Sequence, residues 1–234
     1  YDLFEIILPE GSLLNPKFPA ALSNRLNTHT RFFDCQAGAL GQQAPHLSMA
    51  AGYGTSPHFI FTGTDENGKY FQLMELLFGG VPGRPRDDGL DGHAWWPLFS
   101  ATPIEYIENY YPVIVERYRP VQDAGGAGLH RGGAGIEKVY RVLASGSISI
   151  HDDREVVPPW GINGGLHGGT SSKWIIRAGS EERERIPSKL DNLKVEPGDR
   201  IVFITAGSGG WGDPLDRPAE KVLADVQNDL VSPQ

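Results

Sequence analysis

Carboxylates and histidines stand close together twice in this chain, at Asp87, Asp88, Asp91 and His93, and again at His151, Asp152 and Asp153. Such hard donors suit a divalent cation. Neither group supplies the three or four spaced ligands of a recognisable zinc or manganese site, and a carboxylate-rich turn serves equally well as a solvated or capping turn. No residue of the chain is therefore assigned as a metal ligand. Arg84 and Arg86 precede the first group and Trp95, Trp96 and Phe99 follow it. An arginine fork meets phosphate or carboxylate, and the aromatic run either walls a pocket for an apolar or planar substrate or packs in the core. Asp123 stands just before the longest glycine run and Arg131 within it, where a bidentate pair would hold a loop that has few side chains of its own. The candidates for catalysis are thus Arg84, His93, Asp123 and Arg131, and those for substrate contact are Trp95 and Trp96.

Four glycine-rich stretches, at residues 79–84, 125–135, 161–169 and 207–214, carry much of the chain's glycine. Glycine lets backbone approach a ligand closely, and equally serves tight β turns and close strand packing. None of the four matches a phosphate-binding loop, because no Gly-Lys-Ser/Thr follows, and Arg131 stands where the dinucleotide fingerprint needs glycine. Ser208 lacks the strand-to-helix setting of a nucleophilic serine. Cys35 and His29 fall within a helical pattern and are expected to be packed helix residues, the thiol inert.

The elements that must position these groups are short. Glycine and proline number 30 and 18 among 234 residues, well above an ordinary share of roughly 12%, which disfavours long helical bundles. A first helix is predicted over residues 19–40, burying Leu22, Leu26, Phe33, Ala37 and Leu40. A hairpin follows, with strands at 58–64 and 69–77 around an Asn-Gly turn. A short helix should begin behind Thr102 as cap and end at Pro112. Strands are predicted at 136–143, 147–151, 173–177 and 200–205, and a closing helix over 217–230 capped by Asp216. The reading is an α+β, strand-dominated unit with a helix near each end.

Lys and Arg total 21 against 29 Asp and Glu, a net charge of −8, the wrong sign for a nucleic-acid binder that lives on phosphate contacts. No apolar run approaches the roughly 20 residues of a membrane helix, so no membrane partner is expected. The single cysteine closes no internal disulfide, and a cytoplasmic location is the default.

Taken in order, Pro9 to Pro16, Gly79 to Gly89, Asp123 to Gly133 and Gly209 to Pro214 resemble the hydantoinase B family, which includes N-methylhydantoinase and oxoprolinase B-type subunits and the large subunits of acetone and acetophenone carboxylases. The resemblance runs along essentially the whole chain. Residues 71–80 and 91–97 look more like the ketone-carboxylase branch, with the ATP-dependent cyclic amide hydrolases as the alternative, and a non-catalytic assembly module as a third reading. The resemblance implies a strand-rich hydantoinase B-like fold and a hetero-oligomer with a hydantoinase A-like nucleotide-binding subunit. It also implies ATP and a divalent metal in the assembled enzyme, both bound mainly outside this chain. Residues 1–234 would then be the C-terminal part of a B-type subunit, lacking the N-terminal metal-binding half, and the chain alone is expected to be inactive.

Overall fold

Two antiparallel sheets form the centre of the protein. The computed structural model describes residues 5–22, 25–95 and 99–233; Trp96 lies outside them. The four-stranded sheet has the order β2-β1-β5-β8, with β1 at His58–Thr64, β2 at Tyr70–Leu76, β5 at Gly146–His151 and β8 at Lys189–Val195. The five-stranded sheet has the order β3-β4-β9-β6-β7, with β3 at Val113–Pro120, β4 at Ile136–Val142, β6 at Ser172–Ile176, β7 at Glu184–Ile186 and β9 at Arg200–Ile204. Alternate residues of each strand point inward, so Phe59 and Phe61 of β1 and Ile148 and Ile150 of β5 share one core with Tyr140 of β4 and Ile201 and Phe203 of β9. Phe59 stacks on Tyr140 at 4.3 Å between ring centres.

Two lysines point into this core. Lys138 is paired with Glu75, whose other oxygen accepts from the Tyr140 hydroxyl at 2.5 Å. Lys173 is paired with Asp152, with both side chains fully buried. Buried charges persist only when paired, and these pairs tie the two sheets to each other.

The predicted hairpin forms around its Asn-Gly turn, with Phe61 opposite Leu73. Helices lie near both ends as expected, α1 at Arg25–Gln43 and α3 at Ala219–Gln227, with α2 at Ile104–Tyr110 between them. Their details differ from expectation. The buried face of α1 is Thr30, Asp34, Ala37 and Gly41, whereas Leu22 and Leu40 are exposed. Small side chains win this face because α1 must approach neighbouring loops closely: a Cβ on Gly41 would lie 2.0 Å from Ile162 Cδ1. Cys35 is consequently exposed rather than packed. Thr102 makes no cap, since Pro103 holds the N-terminal position of α2 without a side-chain bond. Asp213, not Asp216, accepts from a turn amide, that of Leu215 at 2.9 Å, and α3 starts behind Pro218.

The four glycine-rich stretches converge. Their extended segments bond to one another through the backbone: Gly80 N to Ala206 O at 3.0 Å, Gly133 N to Val81 O at 2.9 Å, Gly126 N to Ser208 O at 2.8 Å and Gly210 N to Leu166 O at 2.9 Å. They build a second, backbone-packed core beside the two sheets.

Candidate functional site

The segment 79–96 stands out by its charges and aromatics as the candidate for contact with substrate or a partner subunit, and its described part, 79–95, is held by side chains from distant parts of the chain. Arg131 is buried and grips Asp91 with both terminal nitrogens, at 2.9 and 3.1 Å, while its Nε donates to Asp225 at 3.3 Å. Arg217 grips Asp88 at 2.6 and 3.2 Å and also reaches Asp225 at 2.7 Å. The glycine loop, the 79–95 segment and α3 are thereby interlocked by planar guanidinium forks on carboxylates, the strongest charge-assisted geometry available to side chains. The expected Asp123 to Arg131 pair does not form. Asp123 is exposed at a φ of +60°, and its carboxylate caps the Ser232 amide at 2.8 Å. Arg131 takes partners 40 and 94 residues away instead.

Arg84 braces its own loop, donating to the Asp88 carbonyl at 3.2 Å. His93 is exposed, its ring nitrogen 2.9 Å from the Ala94 carbonyl. Trp95 is half-buried against the Gly52 backbone and meets Tyr53 edge-on at 6.4 Å, while its amide donates to the Tyr53 hydroxyl at 3.1 Å. Burial pushes that hydroxyl up to about 12.

Burial alone would raise the Asp88 carboxyl, but the Arg217 fork and the Arg131 amide outweigh it and hold it at about 2. A carboxyl depressed on folding adds stability that is complete above its ordinary value of 3.8 and is lost as pH falls through about 2. Urea midpoints measured between pH 5 and pH 2 should therefore fall steeply at the acid end. The Asp88→Asn variant should start lower and lose less over the same range.

His151, Asp152 and Asp153 do not converge. His151 faces Asp191 at 3.2 Å, Asp152 turns into the core toward Lys173, and Asp153 meets Arg31 at 3.1 Å. Successive side chains of extended backbone leave on opposite faces, so neighbours in sequence are poor joint ligands. Among the described residues, no three His, Cys, Asp or Glu side chains gather as a metal-holding group. Many of the glycine amides, those of Gly80, Gly126, Gly133, Gly207, Gly209 and Gly210 among them, are likewise spent on carbonyls, and a Cβ on Gly207 or Gly209 would meet backbone oxygen at 1.9 Å rather than open space. These loops do not fit a nucleotide phosphate.

A cleft of about 900 Å³ opens elsewhere, between α1 and the 153–162 loop. Its floor is a charged lattice. Asp34 and Arg154, both nearly fully buried, form an ion pair, and Arg31 bridges Asp34 at 3.3 Å to Asp153 at 3.1 Å. The Gly52 amide adds a bond to Asp34 at 3.2 Å. Arg154 sits at a φ of +62°, a strained conformation for a long side chain that is retained where the surroundings dictate it. Burial pushes the Asp34 carboxyl up, and its two arginines only partly offset this. Ala39, Val156, Val157, Trp160 and Ile162 give the lining its apolar part, with Gln42, Glu155, Ser188 and Lys189 as further polar and charged members. The lining thus combines ions paired with one another and apolar side chains. Sequence reasoning does not single out Arg31, Asp34, Arg154 or Trp160. The available signal is a carboxylate at Asp34, in step with the small residues Thr30, Ala37 and Gly41.

The hydantoinase B/oxoprolinase family profile matches residues 1–214. The chain is 35% identical over 97% of its length to a protein of Pseudomonas sp. strain NS671 described as the B component of a D-/L-hydantoinase, and spans 38% of it. It is 32% identical over 96% of its length to the caprolactamase beta chain of Pseudomonas jessenii, spanning 40% of that protein. The crystal structure of the ATP-dependent caprolactamase from Pseudomonas jessenii superposes with a TM-score of 0.82 at 28% identity, over 97% of this chain and 41% of that one. A nucleotide-free acetone carboxylase structure superposes over 89% of this chain and 32% of that one, with a TM-score of 0.74 at 18% identity, a likeness of fold. The chain thus spans about two fifths of the hydantoinase and caprolactamase relatives.

Proposed function

The chain belongs to the hydantoinase B/oxoprolinase family, and on that premise we propose that it is part of the B-type subunit of an ATP-dependent cyclic amide hydrolase. One observation carries the choice of reaction. Agreement with the hydantoinase and caprolactamase relatives extends through sequence as well as fold, at 35% and 32% identity over nearly the whole chain, whereas the ketone carboxylase shares the fold at 18%. The ketone-carboxylase branch, suggested by residues 71–80 and 91–97, keeps that fold likeness as its support and stands as the second reading.

In this reading a hydantoinase A-like partner handles ATP: phosphorylation of the amide oxygen activates the ring carbon to addition of water, the C–N bond then breaks as the nitrogen takes up a proton, and a second water hydrolyses the resulting acyl phosphate to the ring-opened acid and phosphate. A divalent metal belongs to the same assembly. The described residues of this chain fit neither group, so their part in the reaction is positional. The Arg131 and Arg217 lattice fixes the 79–95 segment, and the backbone-packed core gives it a rigid seat. Arg84, His93 and Trp95 of that segment remain the residues proposed to face substrate or a partner subunit, with Trp96 beside them in sequence.

The purified assembly containing this chain should hydrolyse ATP when given a lactam or a hydantoin, releasing ADP, phosphate and the ring-opened product in equal amounts. ATP turnover stimulated only by a ketone with bicarbonate would overturn the proposal in favour of the carboxylase. Within the active assembly, Arg84→Lys tests the segment: slowed turnover at unchanged melting temperature keeps Arg84 at the site, and unchanged turnover assigns it to bracing its loop. Among the described residues no helix is long and apolar enough to cross a membrane.

A further inference from the structure

The cleft between α1 and the 153–162 loop has features that a small-molecule pocket does not need. From Cys35 to Gln43, α1 carries no charged residue. The loop opposite presents Val156 and Val157 at 85% and 64% exposure. Two solvent-facing valines on one bank, opposite the small uncharged residues Cys35, Gly38 and Ala39 of α1 on the other, form a groove shaped to take apolar side chains. The N-terminal part of the chain is otherwise unusually bare, with Ile6, Leu13, Phe18 and Leu47 each at least 74% exposed. The floor ions are already paired with each other, which leaves no charge in search of an ionic ligand.

We propose that this groove seats a segment of the B-type polypeptide lying outside the 234 residues, through apolar side chains laid between α1 and Val156 and Val157. The choice of occupant rests on length: the relatives carry about three fifths of their chain beyond the region matched here. The proposal stands on family membership alone. Failure of the cyclic amide reading would leave it untouched, because its test reads association and not turnover.

Cys35 is the chain's only cysteine, is exposed, and lines the groove, so it reports coverage directly. The 234-residue chain, mixed with the separately expressed remainder of the B-type polypeptide, should form a one-to-one complex in which Cys35 reacts more slowly with a maleimide, as read by peptide mass spectrometry. Val157→Asp and Ala39→Glu, both at exposed groove positions, should each weaken association by about tenfold or more. Met74→Asp should not, since β2 lies at the opposite edge of its sheet from β8, whose Lys189 lines the groove. Absence of association, unchanged Cys35 labelling within the complex, or binding indifferent to the groove charges would each overturn the proposal. So would a homodimer of the chain that already protects Cys35, which would make a second copy the occupant.

Discussion

Gly209→Ala is expected to leave little folded protein. A Cβ at that position would stand 1.9 Å from the Trp160 carbonyl oxygen, 2.5 Å from its carbon and 2.8 Å from the Gly161 amide nitrogen. None of these is the free end of a side chain. The Gly209 amide donates to Ala51 O at 2.8 Å and its carbonyl accepts from Gly83 N at 3.0 Å, so the backbone there cannot step aside without breaking bonds to two other segments. Overpacking usually costs about 1–3 kcal/mol where side chains can yield; between two hydrogen-bonded backbones the loss should exceed about 3 kcal/mol, a large share of the roughly 5–15 kcal/mol holding an ordinary domain together. Gly169→Ala is the contrast, because its nearest neighbour would be Ala124 Cα at 3.3 Å, and it should unfold within about 1 kcal/mol of the parent. Urea denaturation of both variants decides the matter. Equal midpoints would show that the glycine core is looser than its hydrogen bonds imply.

Arg131→Ala should be the most damaging change to a charged residue in the site region. It removes a guanidinium that is 7% exposed, leaving Asp91 and Asp225, at 27% and 12% exposure, without that partner. Stranding a buried carboxylate typically costs about 3–5 kcal/mol, and among the described residues Arg217 is the basic side chain that Asp225 retains. Arg131→Lys should rescue little, since one ammonium cannot reproduce a fork that reaches Asp91 through two nitrogens and Asp225 through a third. A double-mutant cycle of Arg131 with Asp91 should show coupling of about 1 kcal/mol or more, and the corresponding cycle with Asp123 should be additive. Coupling to Asp123 in the absence of coupling to Asp91 would contradict the observed geometry.

Much of this protein is legible without coordinates. Short apolar-rich runs mark β1, β2, β4, β5, β6 and β9, the Asn-Gly pair places the hairpin, and the helical patterns put a helix near each end. Ordered motifs point to the hydantoinase B family. All of these signals are local, arising from neighbours a few residues apart whose period or turn chemistry is set by backbone geometry. The strands not predicted have weak local patterns: β3 is an edge strand with an irregular register between Val115 and Arg117, β7 has three residues, and the β5 to β8 pairing is irregular between Ile148 and Ile150. Tertiary structure alone decides which face of α1 is buried, because that depends on how closely Gly38 and Gly41 must approach Trp160 and Ile162. It also decides that the glycine stretches pack against one another. Partner choice belongs to the same class: Arg131 finds Asp91 at a separation of 40 residues, and Arg154 finds Asp34 at 120. An ion pair depends on distance in space and on the cost of burying a lone charge, and neither quantity is written in sequence spacing.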